Sequence, residues 1–157
     1  MKKISLITFG LFIIDRISKI LITNYFSLNV KNKIINNLFY ITYCKNEGAA
    51  FSILSGNTLF LIFITFIILF IIYKNIKNKE NISNLSIISY SLLLGGILGN
   101  LYDRIFYGYV IDFLDFIIFK YNFAIFNLAD TFIVIGAFML LIFEGSDKFG
   151  RNKISSK

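Results

Sequence analysis

Four apolar runs, each close to the length of a membrane-crossing helix, constrain this chain more than any other feature. They lie at about Ile4–Leu21, Thr58–Tyr73, Leu85–Leu101 and Phe126–Phe143. A helix rises ~1.5 Å per residue, so about 20 apolar residues cross the ~30 Å hydrocarbon core of a bilayer. In a chain of 157 residues, four such runs leave room only for short connections. The chain is 57% hydrophobic with mean hydropathy +0.73, whereas soluble domains run nearer ~45–50% apolar. The expected fold is an all-α membrane protein. One domain occupies residues 1–157, and four transmembrane helices cover about 4–24, 57–73, 85–103 and 126–144.

The N-terminus, Met1-Lys2-Lys3 before an apolar run, has the outline of a signal peptide. Asp15, Arg16 and Lys19 interrupt that run and no small-residue cleavage site follows. It therefore reads as an uncleaved first helix. Asp15 and Lys19 are four apart and share a helix face. They serve either as a pair that lets the helix carry its charges or as support for a site at its outer end.

The net charge of +7 sits mostly at the ends of apolar runs, where it acts as a topology signal. No basic stripe is interleaved with aromatics, so nucleic-acid binding is not expected. Lys2, Lys3, Lys74, Lys77, Lys79, Lys148, Arg151, Lys153 and Lys157 fall on one side of the expected spans. Lys31, Lys33, Lys45, Arg104 and Lys120 fall on the other. The richer side is cytoplasmic, which places both termini inside and the segments of about 24–57 and 105–125 outside. Within the first of these, Leu38-Phe39-Tyr40-Ile41-Thr42-Tyr43 has strand composition and Asn46-Glu47-Gly48 offers a turn. A small extracytoplasmic β-sheet is thus expected between helices 1 and 2.

The chain contains no histidine and one cysteine, Cys44. That excludes an intrachain disulfide, a Ser-His-Asp triad, a Cys-His pair and ordinary zinc ligation. Carboxylates remain. Asp112, in Val110-Ile111-Asp112-Phe113, and Asp130, in Phe126-Asn127-Leu128-Ala129-Asp130, lie in or beside apolar stretches. A carboxylate at membrane depth costs ~2.5–3.5 kcal/mol on insertion scales and so marks a functional position. Two carboxylates sharing a site cannot both ionise easily; one holds a proton while the other acts as base. Asn127 precedes Asp130 by three and shares its face. Spacing alone leaves two readings open: a catalytic pair, or two unrelated acids with Asp130 complementing a helix N-terminus. It also leaves Asp115 as a rival to Asp112.

Gly95-Gly96-Ile97-Leu98-Gly99-Asn100-Leu101-Tyr102-Asp103-Arg104 contains a GxxxG pattern for close helix approach. Asn100 and Arg104 share a face, and spacing favours a capping role for this polar end. Ser18 and Lys19 are adjacent and point to different faces, which argues against a Ser-Lys peptidase. The Gly-x-Gly-Asp block of presenilin-type proteases is absent. An ion or proton path through Asp15, Asp112 and Asp130 would spread charge across membrane depth.

Five ordered blocks together resemble the lipoprotein signal peptidases (signal peptidase II), membrane aspartic peptidases of family A8. They are Asp15-Arg16-Ile17-Ser18-Lys19, Asn46-Glu47-Gly48-Ala49-Ala50-Phe51, the Gly95–Arg104 block, Val110–Phe113 and Phe126–Asp130. The resemblance implies that Asp112, rather than Asp115, and Asp130 are the catalytic pair. It implies that Asn46, Gly48, Asn100, Arg104 and Asn127 shape the site or hold substrate, and that Asp15, Lys19 and Asp103 support the structure. It further implies a cofactor-free, metal-free enzyme in the bacterial cytoplasmic membrane with its site facing outward. The implied partners are membrane lipids and a diacylglyceryl-modified prolipoprotein, cleaved on the N-terminal side of its lipidated cysteine. A monomer is expected.

Overall fold

The computed structural model describes residues 1–48, 54–79, 81–119 and 121–154, with side chains to residue 143. Four helices form: α1 (Lys2–Tyr25), α2 (Thr58–Lys77), α3 (Asn84–Tyr107) and α4 (Leu128–Ile154). The first three contain their expected runs and extend to polar flanks; α4 starts at Leu128, two residues after the expected start at Phe126. Of the four, α2 and α3 are long and apolar enough to cross a membrane; the apolar part of α4, Leu128–Phe143, is shorter.

The antiparallel sheet departs from expectation. It has four strands in the order β1-β2-β3-β4: β1 (Lys31–Ile35), β2 (Phe39–Asn46), β3 (Val110–Ile118) and β4 (Tyr121–Asn122). The expected sheet used only the segment between helices 1 and 2, but the connection between α3 and α4 supplies half the strands. Val110, Ile111, Phe113, Leu114, Phe116, Ile117 and Ile118 are β-branched or apolar and fit a pleated, half-buried surface. Asp112 therefore sits on a strand, directly opposite Cys44 of β2, and not in a loop. Neighbouring strands lock each other's backbone groups, so its position is set by the ladder.

Helix α3 is the centre of the bundle, and its glycines explain why. A Cβ on Gly95 would stand 2.8 Å from Leu11 Cβ on α1, and one on Gly99 would stand 2.5 Å from the Asp15 carboxylate. A Cβ on Gly96 would collide with the Ala129 carbonyl oxygen on α4. The stripe thus admits α1 and α4 together. Helix α3 begins with Ser83, whose Oγ accepts from the Ser86 N–H, and ends at Gly108 in the left-handed region (φ 80°). One apolar cluster (Ile4, Ile72, Ile76, Tyr90, Ile97) ties the helices, and a second (Ile22, Ile111, Phe113) joins α1 to the sheet. The sheet closes the end of the bundle at which α1 and α3 finish and α2 and α4 begin.

Candidate active site

At that end the chain gathers most of its buried polar side chains. Asp15, Lys19, Asp103 and Asn127 have no exposed surface, and Asp112 is 3% exposed. Such burial requires complete hydrogen bonding, because an unpaired polar group in an apolar setting is costly.

Two carboxylates are held by three asparagines. Asn127 Nδ2 donates to Asp112 Oδ1 at 2.6 Å, and Asn46 Nδ2 donates to Asp112 Oδ2 at 2.9 Å. Asn100 Nδ2 donates to Asp130 Oδ1 at 2.7 Å. The Asn127 backbone N–H donates to Asp130 Oδ2 at 3.1 Å, while the Asp130 N–H donates back to Asn127 Oδ1 at 2.9 Å. This reciprocal exchange across three residues is a capping box. It places Asp130 as the third residue of α4, where the sequence had suggested a full turn inside a helix beginning near 126. Asp130 complements the helix N-terminus, and it is not unrelated to Asp112, since Asn127 bonds both carboxylates. Asn127 joins the two carboxylates directly, and its Nδ2 also reaches Asn100 Oδ1 at 3.2 Å.

Behind this layer lies an ionic cluster. Lys19 Nζ lies 2.9 Å from Asp15 Oδ2, 2.8 Å from Asp103 Oδ2 and 2.9 Å from Asn100 Oδ1. Arg16 pairs with Asp103 Oδ1 and stacks over Tyr102, 4.5 Å from the ring centre. Asp15 Oδ1 accepts the Ala129 N–H at 3.1 Å, and Asp103 Oδ2 accepts the Ile111 N–H at 3.2 Å. Asp15 thus satisfies an orphan donor in the first turn of α4 from another helix, and Asp103 anchors the start of β3. The expected pairing of Asp15 with Lys19 is present, and Asp15 also bonds the first turn of α4. The capping role favoured for the end of α3 is overturned. Asn100 and Asp103 bond to other elements, Gly108 ends the helix, and Arg104 Nη2 donates to the Gly48 carbonyl at 3.0 Å. Gly48 closes the expected turn, its N–H bonding Asn46 Oδ1 at 3.0 Å. Ala49, Ala50 and Phe51 of the same block lie outside the described residues.

Asp115 is held elsewhere. Thr42 Oγ1 donates to its Oδ2 at 2.8 Å, and Lys31 Nζ stands 3.1 Å from the same atom. Ser18 Oγ bonds the Asp15 carbonyl, so Ser18 and Lys19 form no nucleophile–base pair.

Burial pushes the Asp112 carboxyl up to about 7, and the neighbouring Asp130 charge pushes the same way. The Asn46 and Asn127 hydrogen bonds and the Lys19 charge oppose them. Burial, followed by the charges of Asp112 and Asp115, also raises the Cys44 thiol, which keeps it neutral beside Asp112. Near neutral pH Asp112 can therefore hold a proton, as the acid of general acid–base work on water must. Among the described residues no group of three or more metal-ligating side chains is assembled.

The pair lines a cleft of about 510 Å³ shared with Asn46, Asn100 and Arg104. Its remaining wall is apolar: Val110, residues 123–126, and Ile133, Val134 and Ile135 of α4. Sequence reasoning did not identify this wall. The available signal was the three- and four-residue spacing from Asp130 to Ile133 and Val134, which puts them on one helical face.

The family model described as Signal peptidase (SPase) II matches residues 7–144. A lipoprotein signal peptidase of Clostridium novyi (strain NT) is 42% identical over 143 residues, covering 90% of this chain and 95% of the relative. One from Staphylococcus epidermidis is 42% identical over 137 residues, covering 87% and 85%. A solved bacterial membrane enzyme that is 34% identical superposes with a TM-score of 0.86, covering 94% of this chain and 90% of that one. A second, also 34% identical, gives 0.81 and covers 90% and 92%.

Proposed function

The chain belongs to the signal peptidase II family, and from that premise we propose how its residues remove the signal peptide from bacterial prolipoproteins. Asp112 and Asp130 are the catalytic pair of an aspartic endopeptidase. The observation that carries this reading is the linkage of both carboxylates through Asn127, whose Nδ2 donates to Asp112 and whose backbone N–H donates to Asp130, at the edge of one apolar cleft. One carboxylate takes a proton from water as the oxygen attacks the scissile carbonyl. The other gives its proton to the carbonyl oxygen, forming a tetrahedral diol without a covalent enzyme adduct. Collapse of the diol returns a proton to the leaving nitrogen and frees the signal peptide.

Four helices cross the bilayer, with both termini cytoplasmic and the sheet end outside. The distribution of basic residues supports this orientation. Among the described residues the buried charges also lie toward the sheet end, in the later part of α1, the last turns of α3 and strand β3, with half-buried Asp130 beside them. That grouping favours hydrolysis over an ion path, which needs charge along the membrane depth. The apolar wall of the cleft suits a membrane-resident segment with a diacylglyceryl cysteine, and Asn46 and Arg104 at the polar end suit its backbone carbonyls. Asp15, Lys19 and Asp103 hold the first turn of α4 and the start of β3 in register.

The test is cleavage of a diacylglyceryl-modified prolipoprotein by purified Asp112→Asn and Asp130→Asn variants. Each should lose activity by several orders of magnitude. Full activity in either removes that residue from the pair.

A further inference from the structure

Each of the three asparagines around the pair has its amide oxygen held by a group that can only donate. Asn46 Oδ1 accepts the Gly48 N–H, Asn127 Oδ1 accepts the Asp130 N–H, and Asn100 Oδ1 accepts the Lys19 ammonium. An amide whose oxygen is so engaged must turn its NH2 the other way. The NH2 groups of Asn46 and Asn127 therefore face Asp112, and that of Asn100 faces Asp130. Two of these locks are backbone amides. The third is a side chain on another helix, with no exposed surface and with the Asp15 and Asp103 carboxylates 2.9 and 2.8 Å from its ammonium.

We infer that Lys19, acting through Asn100, is a positioning residue that makes Asp130 the ionised base of the pair and leaves the proton on Asp112. The inference rests on the dyad proposed above and assigns its two roles. Asp130 receives the Asn100 amide on one oxygen and a backbone N–H on the other, and it stands in the first turn of α4, where the helix dipole favours an anion. Asp112 stands on a strand, without a helix terminus, and is 3% exposed. Burial, first, and the charge on Asp130 favour its neutral form and outweigh the Asn46 and Asn127 bonds and the more distant Lys19 charge, which act the other way. In the reaction, water gives a proton to Asp130 as its oxygen bonds to the carbonyl carbon. The carbonyl π pair moves to oxygen, which takes the proton of Asp112.

Other ionisable groups around Asp130 are paired with each other or act alike in every variant; Arg104, which faces Asp130 more than Asp112, favours the Asp130 anion in all of them. From α1, Asp15 pairs with Lys19; from α3, Asp103 pairs with Lys19 and Arg16. Arg104 lines the cleft and stays charged throughout, so it adds a constant field. From β2, Cys44 faces Asp112 as a neutral thiol.

The experiment compares three proteins with wild type. Lys19→Met removes the lock. Asp15→Asn/Lys19→Met removes it together with an opposite charge, so the buried cluster stays balanced. Arg16→Met takes a cation from the same cluster without touching Asn100. Without Lys19 only the longer 3.2 Å bond from Asn127 Nδ2 holds the Asn100 oxygen, so the amide is freer to turn that oxygen to Asp130. Both Lys19 variants should lose kcat on a diacylglyceryl-modified prolipoprotein with KM retained. Their pH–activity profiles should shift by roughly one pH unit to higher pH, the scale on which a neighbouring opposite charge acts on a carboxyl. Arg16→Met should lose thermal stability and keep the wild-type profile.

A second readout needs no substrate. The carboxyl-carbon shifts of carbon-13-labelled Asp112 and Asp130 in wild type, followed against pH, should show Asp130 as carboxylate while Asp112 is still protonated. The reverse order overturns the proposal. So do unshifted profiles in folded Lys19 variants, and so does failure of both Lys19 variants to fold while Arg16→Met folds. Wild type that shows the expected carboxyl order but cleaves nothing refutes the proposed function instead.

Discussion

Gly96 tests how closely the site depends on helix packing. A methyl group there collides with the Ala129 carbonyl oxygen and stands 2.8 Å from Ile133 Cγ1 and 3.1 Å from the Ala129 carbonyl carbon. Two of these atoms are helix backbone and cannot rotate away, so Gly96→Ala must move the first turn of α4 by about 1 Å. Overpacking of this kind costs ~1–3 kcal/mol, a fall of roughly 2–12 °C in apparent Tm for a chain of this size. Catalysis is more exposed, because Ala129 adjoins Asp130. The 2.7 Å bond from Asn100 to Asp130 would stretch beyond the ~3.2 Å limit of a good hydrogen bond. A misplacement of about 1 Å costs ~100-fold in rate, so kcat should fall about that far in a protein that still folds. Gly95→Ala is the matched control. Its methyl group stands 2.8 Å from Leu11 Cβ and 3.3 Å from the Thr8 carbonyl oxygen on α1, a direction away from the pair. It should lose similar stability with less than a ~10-fold loss of kcat. The assay is steady-state prolipoprotein cleavage beside thermal unfolding in detergent. Equal kcat losses in the two variants, or a wild-type kcat in Gly96→Ala, would refute the reasoning.

Asn127→Ala removes a helix cap worth ~1 kcal/mol and two donated bonds of ~1 kcal/mol each, so unfolding should show a loss of about 3 kcal/mol with activity abolished. Asn127→Ser keeps a cap oxygen and should recover part of the stability but no cleavage. Asp115→Asn should keep kcat within ~threefold, since its partners Thr42 and Lys31 lie outside the cleft; half-exposed Lys31 limits the stability loss to ~1 kcal/mol. A dead Asp115→Asn beside an active Asp112→Asn would reverse the assignment. Asp112 binds its proton more tightly folded (about 7) than at its ordinary value of 3.8. Its contribution to stability is therefore full below about pH 4 and lost as pH rises to about 7. The stability of Asp112→Asn relative to wild type should climb across that window, by an amount on the order of 4 kcal/mol, and stay level above it. A flat difference across the window would show that Asp112 is not raised.

The helices were legible because each is a long apolar run, and length with hydropathy is a local property. The pairing of Asp15 with Lys19 was legible for the same reason, since four residues bring two side chains to one helix face. Strand β3 was not, because a nine-residue apolar run carrying two acids fits a loop as well as a strand until β2 is beside it. The polar end of α3 was misread as a cap because spacing along one helix says nothing about α1, β2 or α4, which supply the partners of Asn100, Asp103 and Arg104. Ala129 gave no signal at all; its contribution is a backbone N–H, which every residue but proline carries.

Composition alone excluded histidine, thiol–histidine and zinc chemistries, and the ordered blocks identified the family. These depend on which residues exist and in what order. Only the fold could bring Asp112 on a strand and Asp130 in a helix cap, eighteen positions apart, onto one asparagine. The resemblance implied Asp112 rather than Asp115, and the fold supplies the physical difference, giving one the cleft and the other Lys31 and Thr42. Ionisation depends on burial, facing charges and hydrogen-bond direction, and these follow from tertiary neighbours rather than from sequence spacing.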